Sequence, residues 1–132
     1  MKLTKKEAYK IMYIFLDDLY IKTKLDDIGV LLGGFSILID GCTADPAAWL
    51  DWEQVVQEKT LNNLLDINQV ILIINNFFKY HKDNFDFDLD MAITEFNKLS
   101  SNKEQFEIYV QNILADPQSD ERIKLTFPPN DN

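Results

Sequence analysis

One segment, residues 66–81, constrains the fold more than any other part of this sequence. Its apolar residues recur at helical spacing yet nearly encircle the helix. They are Val70, Ile71, Ile73, Ile74, Phe77 and Phe78. A helix that is apolar on all sides is covered by its neighbours, so we expect it at the centre of its domain.

Capping motifs predict where the surrounding helices begin. In a capping box, the first side chain accepts a hydrogen bond from the backbone N–H three residues on, and the later side chain returns the bond. Three pairs with this spacing are assigned to helix starts, namely Thr4 with Glu7, Asp66 with Gln69, and Ser101 with Glu104. Each precedes apolar residues at helical spacing, so each predicts the start of an amphipathic helix.

Residues 28–32 are predicted to form a short helix. Asp26 or Asp27 is suited to cap it, because a short carboxylate side chain accepts hydrogen bonds from the first free N–H groups. Gly33 and Gly34 are predicted to end it, since glycine tolerates the left-handed conformation found just past a helix.

The next helix is predicted to begin at Asp45 and Pro46 and to run to about residue 58. Asp45 is a natural N-cap, and Pro46 fits the first helical position, where its missing N–H costs nothing. Trp49 and Trp52 follow on one side of this helix. We assign both to packing, with partial exposure at a partner interface as the alternative.

The fold class predicted from these segments is all-α, an irregular bundle of about five helices. A chain of 132 residues is most simply one domain, which we place at residues 1–117. Asp116 and Pro117 end the last helix, and residues 118–132 are a polar tail. Within this tail, residues 123–127 are compatible with a short extended segment.

The sequence contains a weak internal repeat. The pattern from Thr4 to Phe15 repeats from Asp66 to Phe77 at an offset of 62 residues, with the same cap position and the same apolar spacing. Two capped amphipathic helices also resemble each other by chance, so duplication and coincidence both remain open at this point.

The net charge of the chain argues against polyanionic partners. The chain has 22 acids, 13 bases and a formal net charge of −9, and Arg122 is its only arginine. Nucleic acid is bound largely by Lys and Arg that neutralise phosphates, so we expect neither nucleic acid nor an anionic membrane as partner. Acidity favours a basic protein partner, and the plain alternative is that it only keeps the protein in solution.

The sequence predicts a cytoplasmic protein. Cys42 is the only cysteine, which excludes an intramolecular disulfide and fits a reducing compartment. The N-terminus is charged and then amphipathic, unlike a signal peptide, and no apolar run is long enough for a membrane span. Cys42 follows a glycine among acidic residues, so we expect a buried or half-buried structural thiol.

No residue pattern predicts an enzyme, a cofactor or a metal site. His81 is the only histidine and has no nucleophile or acid in a recognisable motif, so we assign it a structural or surface role. The spacing of Asp86, Asp88 and Asp90 is similar to the start of a calcium loop. However, that loop's glycine is missing, and Asn97 stands where it needs a bidentate glutamate.

Two stretches resemble part of a known family. They are residues 27–34, DIGVLLGG, and residues 40–52, DGCTADPAAWLDW. The opening residues 3–9, LTKKEAY, run into an amphipathic helix that contains residues 15–20, FLDDLY, and resemble the start of the same family. They are similar to small bacterial immunity proteins of contact-dependent growth-inhibition and related polymorphic toxin systems. The resemblance covers about residues 3–53 and implies a non-enzymatic, cytosolic, mostly helical protein that binds a cognate toxin domain, often a nuclease. It implies scaffold roles for Asp45, Pro46 and Trp49.

We therefore predict an immunity protein that neutralises a toxin domain through acidic faces. Residues 25–58 contain seven acids and no base, and residues 83–97 contain five acids and no base. The residues predicted to contact the partner are Asp17, Asp18, Asp40, Asp51, Glu53, Asp86, Asp88 and Asp90. The alternatives are a helical adaptor for another basic protein and an enzyme of unrecognised type, which a deep pocket with converging perturbed groups would indicate.

Overall fold

Helices account for most of the structure, with one small sheet between two of them. The computed structural model describes residues 1–124. In chain order the elements are β1 (Lys2–Thr4), α1 (Lys5–Thr23), α2 (Asp26–Phe35), α3 (Pro46–Gln57), β2 (Leu64–Asp66), α4 (Ile67–Phe85), α5 (Asp90–Ser100), α6 (Lys103–Ala115) and α7 (Pro117–Arg122). The predicted all-α class is confirmed in its coarse form, but residues 1–124 form seven helices where about five were expected.

The sheet was not predicted from the sequence. Its two strands, β1 and β2, pair antiparallel, and Leu3 stands opposite Leu65. Both leucines are completely buried. A strand of three residues is too short to leave an alternating pattern, so only the pairing partner makes it recognisable. Each strand leads directly into a long helix, β1 into α1 and β2 into α4.

Local capping was largely predictable. The boxes at Thr4 and Asp66 are confirmed, with N–H to oxygen distances between 2.8 and 3.1 Å. The third predicted box is wrong, because Asn102 rather than Ser101 caps α6. Asparagine caps a helix as well as serine does, and the Ser101 hydroxyl instead donates to the Lys98 carbonyl at 2.8 Å.

The predicted limits of α2 are wrong at both ends. Its N-cap is Leu25, and Asp26 and Asp27 lie inside the first turn, where their charges suit the positive end of the helix dipole. At the other end the helix continues through both glycines to Phe35. By contrast, Asp45 is confirmed as the N-cap of α3, accepting a hydrogen bond from the next-but-one N–H at 3.0 Å.

The centre of the fold is shared by α4 and α1. Seven residues of α4 and nine residues of α1 are buried. α1 contacts β1, α2, α3, α5, α6 and α7. The buried part of α1 is wider than the predicted single apolar face, because the rings of Tyr9 and Tyr13 are also buried and their hydroxyls form hydrogen bonds inside the protein. The Tyr9 hydroxyl donates to the Phe35 carbonyl at 2.7 Å, and the Tyr13 hydroxyl lies 2.9 Å from the Ser36 hydroxyl.

α1 and α4 are related by the same 62-residue offset at every boundary. Each helix has 19 residues, follows a three-residue strand and begins with a capping box. Each is followed by a residue in the left-handed conformation, Lys24 with φ 53° and Asp86 with φ 58°. The agreement therefore extends from the two caps to whole strand–helix units.

The polar tail begins with a helix that packs on the domain. Ser119 of α7 is buried, and the backbone N–H of Ile37 donates to the Ile123 carbonyl at 2.8 Å. The predicted boundary between residues 117 and 118 therefore falls in the first turn of α7. Of the predicted extended segment, residues 125–127 lie outside the described residues.

Candidate partner-binding surface

The connection from α4 to α5 presents aspartates to solvent. Asp86 reverses the chain in the left-handed conformation, which aspartate adopts more readily than most residues. Leu89 is completely buried, whereas Asp86, Asp88 and Asp90 are exposed. The alternation of apolar and acidic residues therefore anchors the connection on one side and leaves its carboxylates on the other.

One hydrogen bond joins this connection to the start of α2. Asp27 Oδ2 accepts the backbone N–H of Asp88 at 2.7 Å, although 61 residues separate the two in sequence. The acid-only segments 25–58 and 83–97 therefore meet at one surface. We name this surface the acidic face and define it as Asp27, Asp86, Asp88 and Asp90.

Lys82 forms an ion pair with the acidic face. Its Nζ lies 2.6 Å from Asp90 Oδ1. The hydrogen bond and charge of Asp90, with the charges of Asp83 and Asp88, raise the pKa of Lys82. Within residues 1–124 this is the one ion pair that a carboxylate of the acidic face makes. The face therefore keeps a strong net negative charge.

An aromatic pair, Tyr80 and Phe85, lies between the acidic face and α3. Phe85 is 53% exposed, and its ring centroid lies 5.6 Å from that of Tyr80 at 76°. The Tyr80 hydroxyl donates to Asp51 Oδ1 at 3.2 Å. Burial, with the charge and hydrogen bond of Asp51, raises the pKa of Tyr80, so this hydroxyl stays protonated at neutral pH. Asp51 on α3 therefore lies against the aromatic pair, and Asp86 follows Phe85 directly in the chain.

His81 lies beneath the aromatic pair as a buried side chain. Its Nδ1 is 2.9 Å from the Phe77 carbonyl, and its ring centroid lies between 4.5 and 5.6 Å from those of Phe35, Phe77, Tyr80 and Phe85. Burial lowers the pKa of His81, so the imidazole is neutral and donates to that carbonyl through Nδ1. The geometry is that of a structural histidine, as predicted.

Asp17 and Asp18 are held by α7. Arg122 Nη2 lies 2.8 Å from Asp17 Oδ2 and 2.5 Å from Asp18 Oδ1. These two predicted contact residues are therefore paired inside the chain. Asp17 also lines a shallow groove of about 480 Å³ between α1 and α2, together with Asp26 and Val30.

The remaining predicted contact residues lie around the start of α3. Asp40 is exposed, and its Oδ1 accepts the backbone N–H of Cys42 at 3.0 Å. Glu53 Oε2 lies 3.5 Å from Lys5 Nζ. In the described residues, no hydrogen bond or ion pair links Asp40 or Glu53 to the acidic face. The structure brings together Asp86, Asp88 and Asp90, with Asp51 across the aromatic pair.

The prediction of a buried or half-buried Cys42 is wrong. The thiol is exposed because its loop closes on its own backbone, with the Leu38 N–H donating to the Cys42 carbonyl at 2.7 Å. The same loop borders a second cleft of about 690 Å³, lined by Trp49 and Leu50 of α3 and by Lys6 of α1. Trp49 is thus half-buried at a cleft, whereas Trp52 is completely buried, as its packing role predicts.

The aromatic pair was not predicted from the sequence. The helix was predicted to end at residue 81, although Phe85 continues the series Phe77, His81, Phe85 at four-residue spacing. That spacing was the available signal for a longer helix ending in an aromatic residue. The role of Asp27 had no local signal, because its partner Asp88 is distant in the chain.

Comparisons with known proteins add no family to this description. A scan against protein-family models and searches of curated proteins and solved structures found no match. Within residues 1–124, no helix is both long and apolar enough to cross a membrane. In the same residues, no three His, Cys, Asp or Glu side chains are grouped as a metal ion would require.

Proposed function

We propose that the chain is a cytoplasmic immunity protein, a stoichiometric inhibitor that binds a basic bacterial toxin domain through its acidic face. The toxin domain that fits best is a nuclease, because an enzyme that holds nucleic acid needs a basic surface at its substrate site. An acidic inhibitor seated there mimics the charge of the substrate and blocks access to it.

The convergence of the two acid-only segments carries the proposal. Asp27 and Asp88 are hydrogen-bonded across 61 residues, so acids from the start of α2 and from the α4–α5 connection share one surface. Charge collected in this way creates a local field that attracts a basic partner and speeds its association. Acids that only keep a protein in solution need no such grouping.

The contacts are expected to concentrate on the acidic face and Asp51. Asp17 and Asp18 already pair with Arg122, so they have less charge to offer a partner. Glu53 is partly neutralised by Lys5. Asp40 is exposed on the loop before α3 and is expected at the rim of the interface, where charge affects the association rate more than the affinity.

Co-expression with each toxin-like domain encoded by a neighbouring gene tests the proposal. We expect the chain to protect cells from one of these toxins and to form an equimolar complex whose affinity falls as salt rises, because charge attraction is screened. A complex absent at low salt, together with no protection, would show that the proposal is wrong. The control is an unrelated protein of similar net charge, which is expected to give no protection.

A second function is favoured by the cleft between α1 and α3. This cleft of about 690 Å³ has an apolar lining that includes Trp49 and Leu50, and it is separate from the acidic face. A protein with two separate contact surfaces suits an adaptor that bridges two partners. Isolation of a complex in which one partner requires the acidic face and another requires Leu50 would favour the adaptor over the inhibitor.

A further inference from the structure

We propose that the aromatic pair, Tyr80 and Phe85, is the anchor of the partner-binding surface and that it fits an arginine on a basic protein partner. The inference deepens the proposed function and rests on it. In the complex, the partner's guanidinium lies over the ring of Phe85 and pairs with the carboxylate of Asp86 or Asp51. The acids around the pair then attract the partner, while the aromatic ring holds it.

Among the phenylalanines of residues 1–124, Phe85 is the exposed one. Its side chain is 53% exposed, whereas those of Phe77, Phe96 and Phe106 are completely buried. Exposed aromatic rings are enriched at the centres of interfaces, where they lose much water-accessible surface on binding. Phe85 therefore offers apolar area in the middle of a surface that is otherwise charged.

Packing fixes the orientation of the exposed ring. Phe85 makes an edge contact with Tyr80 at 5.6 Å, and its centroid lies 5.6 Å from that of His81. Tyr80 is in turn held by its hydrogen bond to Asp51. A ring held in this way loses little conformational freedom on binding, so more of the interaction energy appears as affinity.

The charges around the aromatic pair decide the chemistry of its partner. An apolar partner would strip water from Asp51 and Asp86 without replacing it, which is unfavourable. A cation meets both requirements, because it is attracted by the face of an aromatic ring and by carboxylates. Arginine fits better than lysine, since its planar guanidinium stacks on a ring and binds a carboxylate through two hydrogen bonds.

Titration of the full chain with arginine amide tests the arginine site directly. We expect NMR shift changes to centre on Phe85, Tyr80 and Asp86, and to weaken several-fold in the Phe85→Leu variant, which keeps apolar bulk but loses the ring. Lysine amide serves as the matched cation and is expected to give smaller changes. Shift changes spread evenly over all exposed acids, or equal in the wild type and Phe85→Leu, would overturn the inference.

Binding to a toxin domain that passes the co-expression test measures the anchor role. We expect Phe85→Ala to raise Kd at least tenfold, and Phe85→Leu to recover less than half of that loss on a logarithmic scale. Ile108→Ala is the control, because Ile108 on α6 has a similar exposure of 56%. Its Kd is expected to stay within twofold of the wild type.

The outcomes separate the two proposals. A wild-type complex with the toxin domain that Phe85→Ala leaves unchanged overturns the anchor and leaves the immunity function standing. Absence of any wild-type complex overturns the immunity function, and the arginine titration then decides the docking surface. Thermal unfolding of each variant is measured alongside, and unchanged melting temperatures confirm that the binding losses are local.

Discussion

At the scale of single residues, His81 is the buried group whose ionisation matters most near neutral pH. Burial is the largest influence on the pKa of His81 and lowers it. The hydrogen bond to the Phe77 carbonyl and the charges of Asp51 and Asp45 act in the opposite direction and raise it. Below about pH 6.5, the ordinary pKa of histidine, and down to the pKa of the folded state, the unfolded chain therefore binds more protons than the folded chain. This contribution to stability is complete above that pH and is lost as the pH falls through the folded pKa.

We expect the free energy of unfolding to fall between pH 7.5 and 5.5. The slope from one proton is bounded at about 1.4 kcal/mol per pH unit, and carboxylates titrate mainly below this range. Urea unfolding of the wild type and of His81→Gln at both pH values measures it. The variant is expected to be less stable but to have a flatter pH dependence, and equal slopes in both proteins would contradict the prediction.

The glycines of α2 have different surroundings. A Cβ on Gly29 would lie 2.8 Å from Cε1 of the Tyr20 ring, whereas a Cβ on Gly33 would meet no atom within 4 Å. Gly29 thus allows α1 and α2 to approach each other, and Gly33 only weakens the helix.

We expect Gly33→Ala to stabilise the protein by about 0.4–1 kcal/mol, because alanine restricts the unfolded chain and suits a helix. Gly29→Ala is the matched substitution in the same helix and is expected to give no such gain, since the Tyr20 ring must move. Chemical unfolding measures both. A gain at Gly29 as large as that at Gly33 would mean that the ring moves without cost.

At the scale of secondary structure, local signals predicted the starts of α1, α3 and α4, whereas the pairing of the strands depends on residues far apart in the chain. The boxes at Thr4 and Asp66 are complete within four residues, so the sequence alone identifies them. The strand pairing of Leu3 with Leu65 depends on residues far apart, and its three-residue strands carry no periodic pattern. The hydrogen bond between Asp27 and Asp88, which organises the candidate site, also joins residues far apart in the chain, so no local pattern predicts it.

α7 is the element that joins the end of the described chain to α1. Arg122 bridges Asp17 and Asp18, and Lys10 Nζ lies 2.8 Å from Asp120 Oδ1. The helix has only six residues, which is too short to be stable alone. Its position therefore depends on these ion pairs and on the buried Ser119.

We expect Arg122→Gln to destabilise the protein by about 1 kcal/mol, because two adjacent, partly exposed carboxylates lose their cation. Lys124→Gln is the matched control, since it removes the same charge from an exposed pair with Glu121. Its cost is expected to stay below about 0.5 kcal/mol. Urea unfolding measures both variants, and equal losses would show that α7 is not held by Arg122.

At the scale of the whole molecule, the distribution of charge matters more than its total. A net charge of −9 is visible in the composition, but its arrangement is a property of the fold. Asp86, Asp88 and Asp90 were predicted contact residues, and the structure joins their segment to Asp27. If the grouping serves a basic partner, neutralising acids there affects binding more than neutralising acids elsewhere.

Two double variants of equal net charge separate these effects. Asp86→Asn with Asp88→Asn changes the acidic face, and Glu104→Gln with Glu107→Gln changes α6. Each pair removes two acids, so both proteins go from −9 to −7. At low salt we expect the first pair to slow association with a labelled toxin domain about five- to tenfold and the second by less than twofold. Stopped-flow mixing measures the association rates at rising salt. We expect the difference between the two double variants to disappear as the Debye length shrinks to about 3 Å near 1 M. Equal slowing by both pairs would assign the effect to net charge alone.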